Sequence, residues 1–265
     1  MLERIKISYL DLLRCMTSLS LVNLLGIQDV KQRYRRSKLG PFWITISMGI
    51  MIGMIGLIFG QVMNNPMQEY LPFLAAGFIF WTYISSSIME GSNSFVDGQG
   101  MIRQLDLPLM LYPMRVVWRN MIILGHNLLI LPITMLMVGK VLTWNILLLV
   151  PGFLVLTINL FWIIVFLAVL CTRFRDMPQI VGSILQVIFY LTPVIWMPGA
   201  ISGKTKLMIL EPNPIYHLIE LVRAPILGSA PTVLNWGVGL GMALVGLTAS
   251  FIFFGQYRKR IAYWL

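Results

Sequence analysis

Six apolar runs, each long enough to cross a bilayer, dominate this chain: residues about 41–63, 70–90, 116–138, 144–171, 177–197 and 233–254. A helix needs ~20 apolar residues to span the hydrocarbon. Inside it the backbone must satisfy its own hydrogen bonds, which leaves helices or a closed barrel. Runs of this length predict helices. A soluble domain of 265 residues, 58% of them hydrophobic and 11% charged, could not hide so much apolar surface from water. The expected fold is an all-α integral membrane protein with six transmembrane helices.

The basic residues orient it. With the N-terminus in the cytoplasm, the inner side collects Arg4, Lys6, Arg14, the cluster from Lys31 to Lys38, Arg103, Arg115, Arg119, Arg173, Arg175 and the run Arg258-Lys-Arg260. The outer side keeps only Lys140, Lys204, Lys206 and Arg223. Sixteen against four predicts an N-in/C-in topology by the positive-inside rule. The same placement accounts for the net charge of +10, because these groups flank spans and face anionic headgroups and cytosolic partners. Membrane lipids are therefore expected partners and nucleic acid is not. Met1–Cys15 carries Glu3 and Asp11 and lacks the apolar core of a signal peptide, so it is expected to be retained. Cys15 and Cys171 fall on the cytoplasmic side and are expected to be reduced. His126 and His217 lie far from each other and from either thiol at ligand spacing, so no metal site is expected.

All ten carboxylates are expected in loops or at span ends. A proton- or sodium-coupled carrier needs an ionisable or ion-coordinating group near the midplane. With no buried carboxylate in prospect, the energy for any transport should come from elsewhere.

Residues 1–38 read as a cytoplasmic interface segment, and residues 39–265 as one transmembrane domain. Ile5, Tyr9, Leu12, Met16 and Leu19 recur at helical spacing, which predicts an amphipathic helix lying in the interface with its basic groups toward headgroups. An ordinary packed helix is the alternative. Gly26 is expected to interrupt it before a second, polar helix over about 28–37. Gly49, Gly53, Gly56 and Gly60 form one small-residue face on the first span, fit for intrasubunit packing or for a second copy. In the second span, Phe78, Phe80, Trp81 and Tyr83 sit mid-segment, whereas interfacial aromatics sit at span ends. The longest inner connection, 91–106, places glycine breakers around a short amphipathic piece. Arg115, Arg119 and His126 share a stripe on the third span; the basic groups either snorkel to headgroups or face a pore. Span five ends in a proline-broken stretch, 189–198, and the outer segment that follows holds a semi-apolar piece, 215–223, too short to span. Short extracytoplasmic re-entrant helices before the last span fit it.

Gly203-Lys204-Thr205 imitates the end of a phosphate-binding loop, but Pro198 stands where that loop needs its first glycine, and the segment is extracytoplasmic. Neither a catalytic triad nor a carboxylate pair for sugar transfer is legible, so the chain reads as no enzyme by itself.

The basic run Arg33-Tyr-Arg-Arg-Ser-Lys-Leu-Gly-Pro-Phe-Trp43, the loop Arg173-Phe-Arg-Asp176, the outer Asn213-Pro-Ile-Tyr-His-Leu-Ile-Glu220 and the terminal 257–265 occur in an order that resembles one family. It is that of ABC-2-type polysaccharide export permeases: the membrane subunit of O-antigen (lipopolysaccharide) exporters, with capsule and teichoic acid permeases as relatives. The resemblance covers essentially the whole chain. It implies a homodimer in the bacterial inner membrane, joined to two copies of a cytoplasmic ABC ATPase that holds ATP and Mg²⁺, with no cofactor on this chain. It implies a lipid-linked polysaccharide as cargo, passing between subunits. Sugar C–H faces pack on aromatic rings, so Phe78, Phe80, Trp81, Tyr83, Tyr190 and Trp196 become pathway candidates, with plain apolar packing as their alternative. Segment 91–106 becomes a coupling lever with Asp97, Gln99 and Arg103 as polar contacts, joined by Arg173, Arg175 and Asp176; a solvated loop is the alternative. Segment 201–226 becomes an outer gate, in which Tyr216, Glu220 and Arg223 share a helix face. A permease for another glycolipid or a drug, an ATP-independent channel or carrier, and a membrane glycosyltransferase are the competing readings.

Overall fold

The computed structural model describes residues 1–33, 35, 40, 42–63, 65–200, 203 and 208–265. Among the described residues twelve α-helices are delimited: α1 Leu2–Thr17, α2 Leu19–Arg33, α3 Phe42–Val62, α4 Met67–Ser92, α5 Ser94–Asp97, α6 Gln99–Gln104, α7 Leu111–Asn127, α8 Ile130–Val138, α9 Leu149–Arg173, α10 Met177–Leu191, α11 Pro214–Leu227 and α12 Val233–Trp264. A 3₁₀ turn, Trp144–Leu148, leads into α9. The imitation phosphate loop lies outside the described residues except for Gly203, and so does most of the basic run at 34–41.

Among the described residues five segments are long and apolar enough to cross a membrane, α3, α4, α7 with α8, α9 with its 3₁₀ turn, and α12, or six if the bent pair of α1 and α2 is one span. The expected fifth span over 177–197 is only partly helical. Its helix, α10, stops after 15 residues, about 22 Å at 1.5 Å per residue, and the chain then bends through Thr192–Met197. Pro193 is the cause, because it biases the preceding residue out of the helical region. The helix of the third span is interrupted at Leu128–Leu129 for a related reason: Pro132 offers no N–H to the carbonyl four residues earlier.

α4 is the axle of the bundle. It touches α3, α7, α8, α9, α10 and α11, and most of its surface is buried. That burial explains its mid-span aromatics, which pack against protein on several sides. α3, by contrast, is largely bare, holding α4 with Met48, Ile52, Gly56 and Gly60. The expected glycine face is thus divided: Gly56 and Gly60 meet Leu71 and Met67 of α4, while Gly49 and Gly53 face open space.

α1 and α2 meet at a 72° bend. The break falls at Ser18, so Gly26 does not interrupt; it sits inside α2, where a Cβ would come within 2.7 Å of the Trp118 ring of α7. α1 turns Ser8, Asp11 and Cys15 inward and leaves Tyr9, Leu10, Leu13 and Met16 exposed. Ser8 donates to the Phe251 carbonyl at 2.6 Å, and the Asp11 carboxylate accepts from the Met110 N–H and from Arg258. The polar stripe therefore docks the helix on α12, and the apolar stripe is left for lipid.

Candidate functional site

Three regions carry the residues singled out in the sequence. The first is a groove between α4 and α10, about 320 Å³, lined by Phe78, Trp81, Thr82, Ser85, Gln186 and Phe189 among others. Phe189 organises it: its ring lies 6.0 Å from Phe78 edge-on, 5.3 Å from Trp81 and 5.4 Å from Tyr190. Phe78 and Trp81 are 9% and 7% exposed, while Tyr190 is 65% exposed. Trp196 is half-buried and donates to the Tyr190 carbonyl at 3.1 Å. The six aromatics thus do not share a surface. Phe80 is buried in the core, and Tyr83 turns toward α9, its hydroxyl 3.4 Å from Thr157 and its ring 5.7 Å from Phe153. The reason is geometric: four aromatics within six residues of a helix point around more than half its circumference. Phe189 and Gln186 escaped the sequence reading. A polar residue one turn before an aromatic pair, inside an otherwise apolar helix, was the available signal.

The second region is the end of the bundle rich in basic residues. α5 and α6 continue α4 with a single residue at each joint, and backbone bonds cross both joints: the Asp97 N–H donates to Asn93 and the Ile102 N–H to Gly98. Gly91 is no breaker; it lies within α4, where a Cβ would strike Ile164 of α9. Gly98 does separate α5 from α6 and lets the Tyr112 ring approach. Asp97, Gln99 and Arg103 are all exposed here, as are Arg173 at the end of α9 and Arg175 and Asp176 in the loop after it. Partial desolvation holds the Asp97 carboxyl above its ordinary pKa, against the pull of Arg119. Arg173 stacks over Phe174 and over Trp264 of the last helix, 5.7 Å from each ring centre.

Arg115 and Arg119 neither snorkel nor face a pore. Both bind Asp29 of α2, and Arg119 also binds Glu90 of α4 at 2.7 Å. His126 stands apart, with Nδ1 2.8 Å from the Ile122 carbonyl and its ring edge-on to Phe42. The expectation of no buried carboxylate also fails. The Asp11 and Asp29 side chains are 1% and 8% exposed, and Glu90 and Glu220 are largely covered. Each is held by an arginine, so its charge is neutralised within the fold and is not free to coordinate a travelling ion.

The third region is the opposite end. Asn213 caps α11 by accepting from the Ile215 and Tyr216 N–H groups, and Gly228, with φ of +93°, ends it in the left-handed region. α11 is 14 residues long, too short to span, and seats deeply: a Cβ on Gly152 of α9 would run into the Leu221 carbonyl. Arg223 is fully buried. It donates to the Pro193 carbonyl, pairs with Glu220, and lies 4.1 Å over the Phe73 ring. Two carbonyls of the bent stretch after α10 thereby find donors: Arg223 serves Pro193, and the Tyr70 hydroxyl donates to the Ile195 carbonyl at 2.6 Å. Tyr216 and Glu220 are half-buried and line one cavity of about 550 Å³ with His217 and Asn235. His217 bridges the Glu211 carbonyl and the Asn235 side chain, 2.8 Å from each.

Among the described residues, no three His, Cys, Asp or Glu side chains converge as a metal site. The fold and these regions define a multi-pass helical membrane protein with a short, deeply seated helix at one end and a short helical staircase at the other. Residues 20–227 match the ABC-2 type transporter family, and the chain belongs to it. The match begins within the 1–38 segment. The chain is similar to an O-antigen export system permease protein RfbA of Myxococcus xanthus, 24% identical over 198 residues that cover 74% of this chain and 76% of the relative. Two such permeases of Klebsiella pneumoniae are 26% and 25% identical, over 72% and 83% of this chain and 74% and 86% of theirs. It is thus an ABC-2 permease homologous to O-antigen export permeases, a multi-pass protein of the bacterial inner membrane, and a transport subunit by family.

Proposed function

We propose that this chain is the membrane-spanning half of an ATP-driven exporter that moves a polyprenol-linked, O-antigen-type polysaccharide from cytoplasm to periplasm. The observation that carries this reading is the similarity, over about three quarters of the chain, to permeases named for O-antigen export. Two copies of the permease pair with two copies of a cytoplasmic ABC ATPase, which holds ATP and Mg²⁺; the permease itself binds no cofactor. The glycan passes between the two copies. The bare flanks of α3 and α10 on either side of α4 support a partner there.

Phe78, Trp81, Phe189 and Tyr190, with Thr82, Ser85 and Gln186 beside the first three, suit a chain that must slide. Aromatic faces take sugar C–H faces, hydroxyls and an amide exchange hydrogen bonds with sugar hydroxyls, and no charge holds any repeat tightly. Tyr190 and Trp196 extend the same aromatic strip toward the bend after α10. At the basic end, Asp97, Gln99 and Arg103, with Arg173, Arg175 and Asp176, present the exposed polar and charged groups that a cleft in the ATPase would grip. At the other end, α11 with Tyr216, Glu220 and Arg223 closes the outer side. Residues 1–38 form the interface segment and 39–265 the transmembrane domain.

Gentle affinity purification from native membranes tests the assembly. A soluble ATPase eluting in one-to-one ratio is the expected result. Reproducible absence of an ATPase from folded, intact permease would instead point to a channel or carrier.

A further inference from the structure

The ion-pair cluster at the basic end has a shape that transport chemistry does not require. Glu90, two residues before the end of α4, receives three donors from two other helices. These are Arg33 of α2 at 2.6 Å, Arg119 of α7 at 2.7 Å and Asn120 of α7 at 2.9 Å. Asp29 of α2 receives Arg115 and Arg119 of α7. Arg119 therefore bridges the two carboxylates, and its Nε is buried with no partner among the described residues. Trp118 of α7 adds a bond to Asn23 of α2 at 3.0 Å, beside the close approach at Gly26. Three helices are thus pinned at one carboxylate that stands at the root of the α5–α6 staircase.

The staircase is stiff. Backbone hydrogen bonds continue from Glu90 through Asn93 and Gly98 into α6, and Phe95 and Gly98 pack on Tyr112 of α7. Any tilt imposed on α5–α6 therefore reaches Glu90 before it reaches the rest of α4. Glu90 passes it to α2, which leads into α3, the span with the largest bare flank. Charge-assisted bonds of this kind are short, directional and worth more in a partly desolvated site than at a surface.

We propose that Glu90 is a positioning residue that clamps α2 to the root of the α5–α6 lever, so that lever and α2 move as one body and carry the ATPase stroke toward α3. This rests on the exporter reading above.

Two labels test it. Lys31 and Gln104 are exposed on α2 and α6 and accept spin labels as Lys31→Cys and Gln104→Cys; the buried free thiols Cys15 and Cys171 are replaced by alanine. The full complex in nanodiscs is compared without nucleotide and trapped with ATP and vanadate. In the wild type the Lys31–Gln104 distance is expected to stay in one narrow population in both states. Glu90→Gln is expected to broaden it and to lower the glycan moved per ATP hydrolysed by about tenfold, the factor for losing one charge-assisted hydrogen bond. Glu90→Asp is expected to restore part of that ratio, and hydrolysis itself stays within about twofold. A wild-type distance that shifts with nucleotide overturns the clamp, and so does a narrow population with full coupling in Glu90→Gln. If Glu90→Gln does not fold, Arg33→Gln, on a 41% exposed side chain, is read in its place. Absence of any ATPase in the complex would defeat the exporter reading. The distance in the permease alone would still decide whether Glu90 holds α2 to α6.

Discussion

Replacing Arg223 with methionine isolates what a buried guanidinium does at the outer end. Methionine keeps most of the stem and fills the space, so the loss is polar. The donor to the Pro193 carbonyl disappears, worth about 1.5–3 kcal/mol for a charged hydrogen bond. Glu220 loses its partner, but at 15% exposure water recovers part of that cost, which keeps it below the ~3–5 kcal/mol of a fully buried broken pair. The contact with the Phe73 face contributes about 1 kcal/mol, and the added apolar surface of methionine offsets a similar amount. The net loss is about 3 kcal/mol. For a chain of this size it lowers the midpoint of thermal unfolding in detergent by about 6–10 °C. Arg223→Lys is expected to recover about half, because a single ammonium cannot serve the carbonyl, the carboxylate and the ring together. The double variant Arg223→Met, Glu220→Gln is expected to be more stable than Arg223→Met alone, since it leaves no unpaired carboxylate. A midpoint within about 1 °C of wild type for Arg223→Met, or no gain in the double variant, would refute the assignment of Arg223 as a strut.

Gly152→Val, which forces a side chain into the Leu221 backbone, should cost about 3 kcal/mol and unseat α11, read as new protease cleavage within 214–227. Trp81→Ala should impair glycan export more than it lowers protein abundance; equal losses would make it a core residue only. Neutralising Asp97 and Arg103 together should uncouple ATP hydrolysis from export while leaving the protein in the membrane, and unchanged export would remove them from the coupling surface. Asp11→Asn should loosen α1 from α12 at a cost of about 2 kcal/mol, seen as faster amide exchange across residues 2–17.

Hydropathy alone placed the apolar segments, because a bilayer imposes one length and one composition on whatever crosses it. It missed where α10 ends, since an apolar run looks the same whether helical or bent, and the carbonyls freed at Pro193 and Ile195 find donors, Arg223 and Tyr70, far away in sequence. The same distance hid the roles of charged residues. Arg115 and Arg119 resemble snorkelling groups until Asp29, about 90 residues earlier, is brought beside them. Glu90 reads as a span-end carboxylate until α2 folds back on it. Aromatic content pointed to the α4–α10 groove but could not sort Phe78 and Trp81 from Phe80 and Tyr83, because neighbours on a helix part company by 100° per residue. The exposed charges of α5 and α6 were legible for the opposite reason, being local to one segment.

The most direct measurement is ATP-dependent movement of a labelled, lipid-linked polysaccharide into sealed inside-out proteoliposomes that hold this permease and its ATPase. The account predicts that the glycan becomes protected from added glycosidase only when ATP and both proteins are present, and that an ATPase unable to hydrolyse abolishes the protection. Protection without ATP, or none from a complex that hydrolyses ATP at full rate, would contradict it.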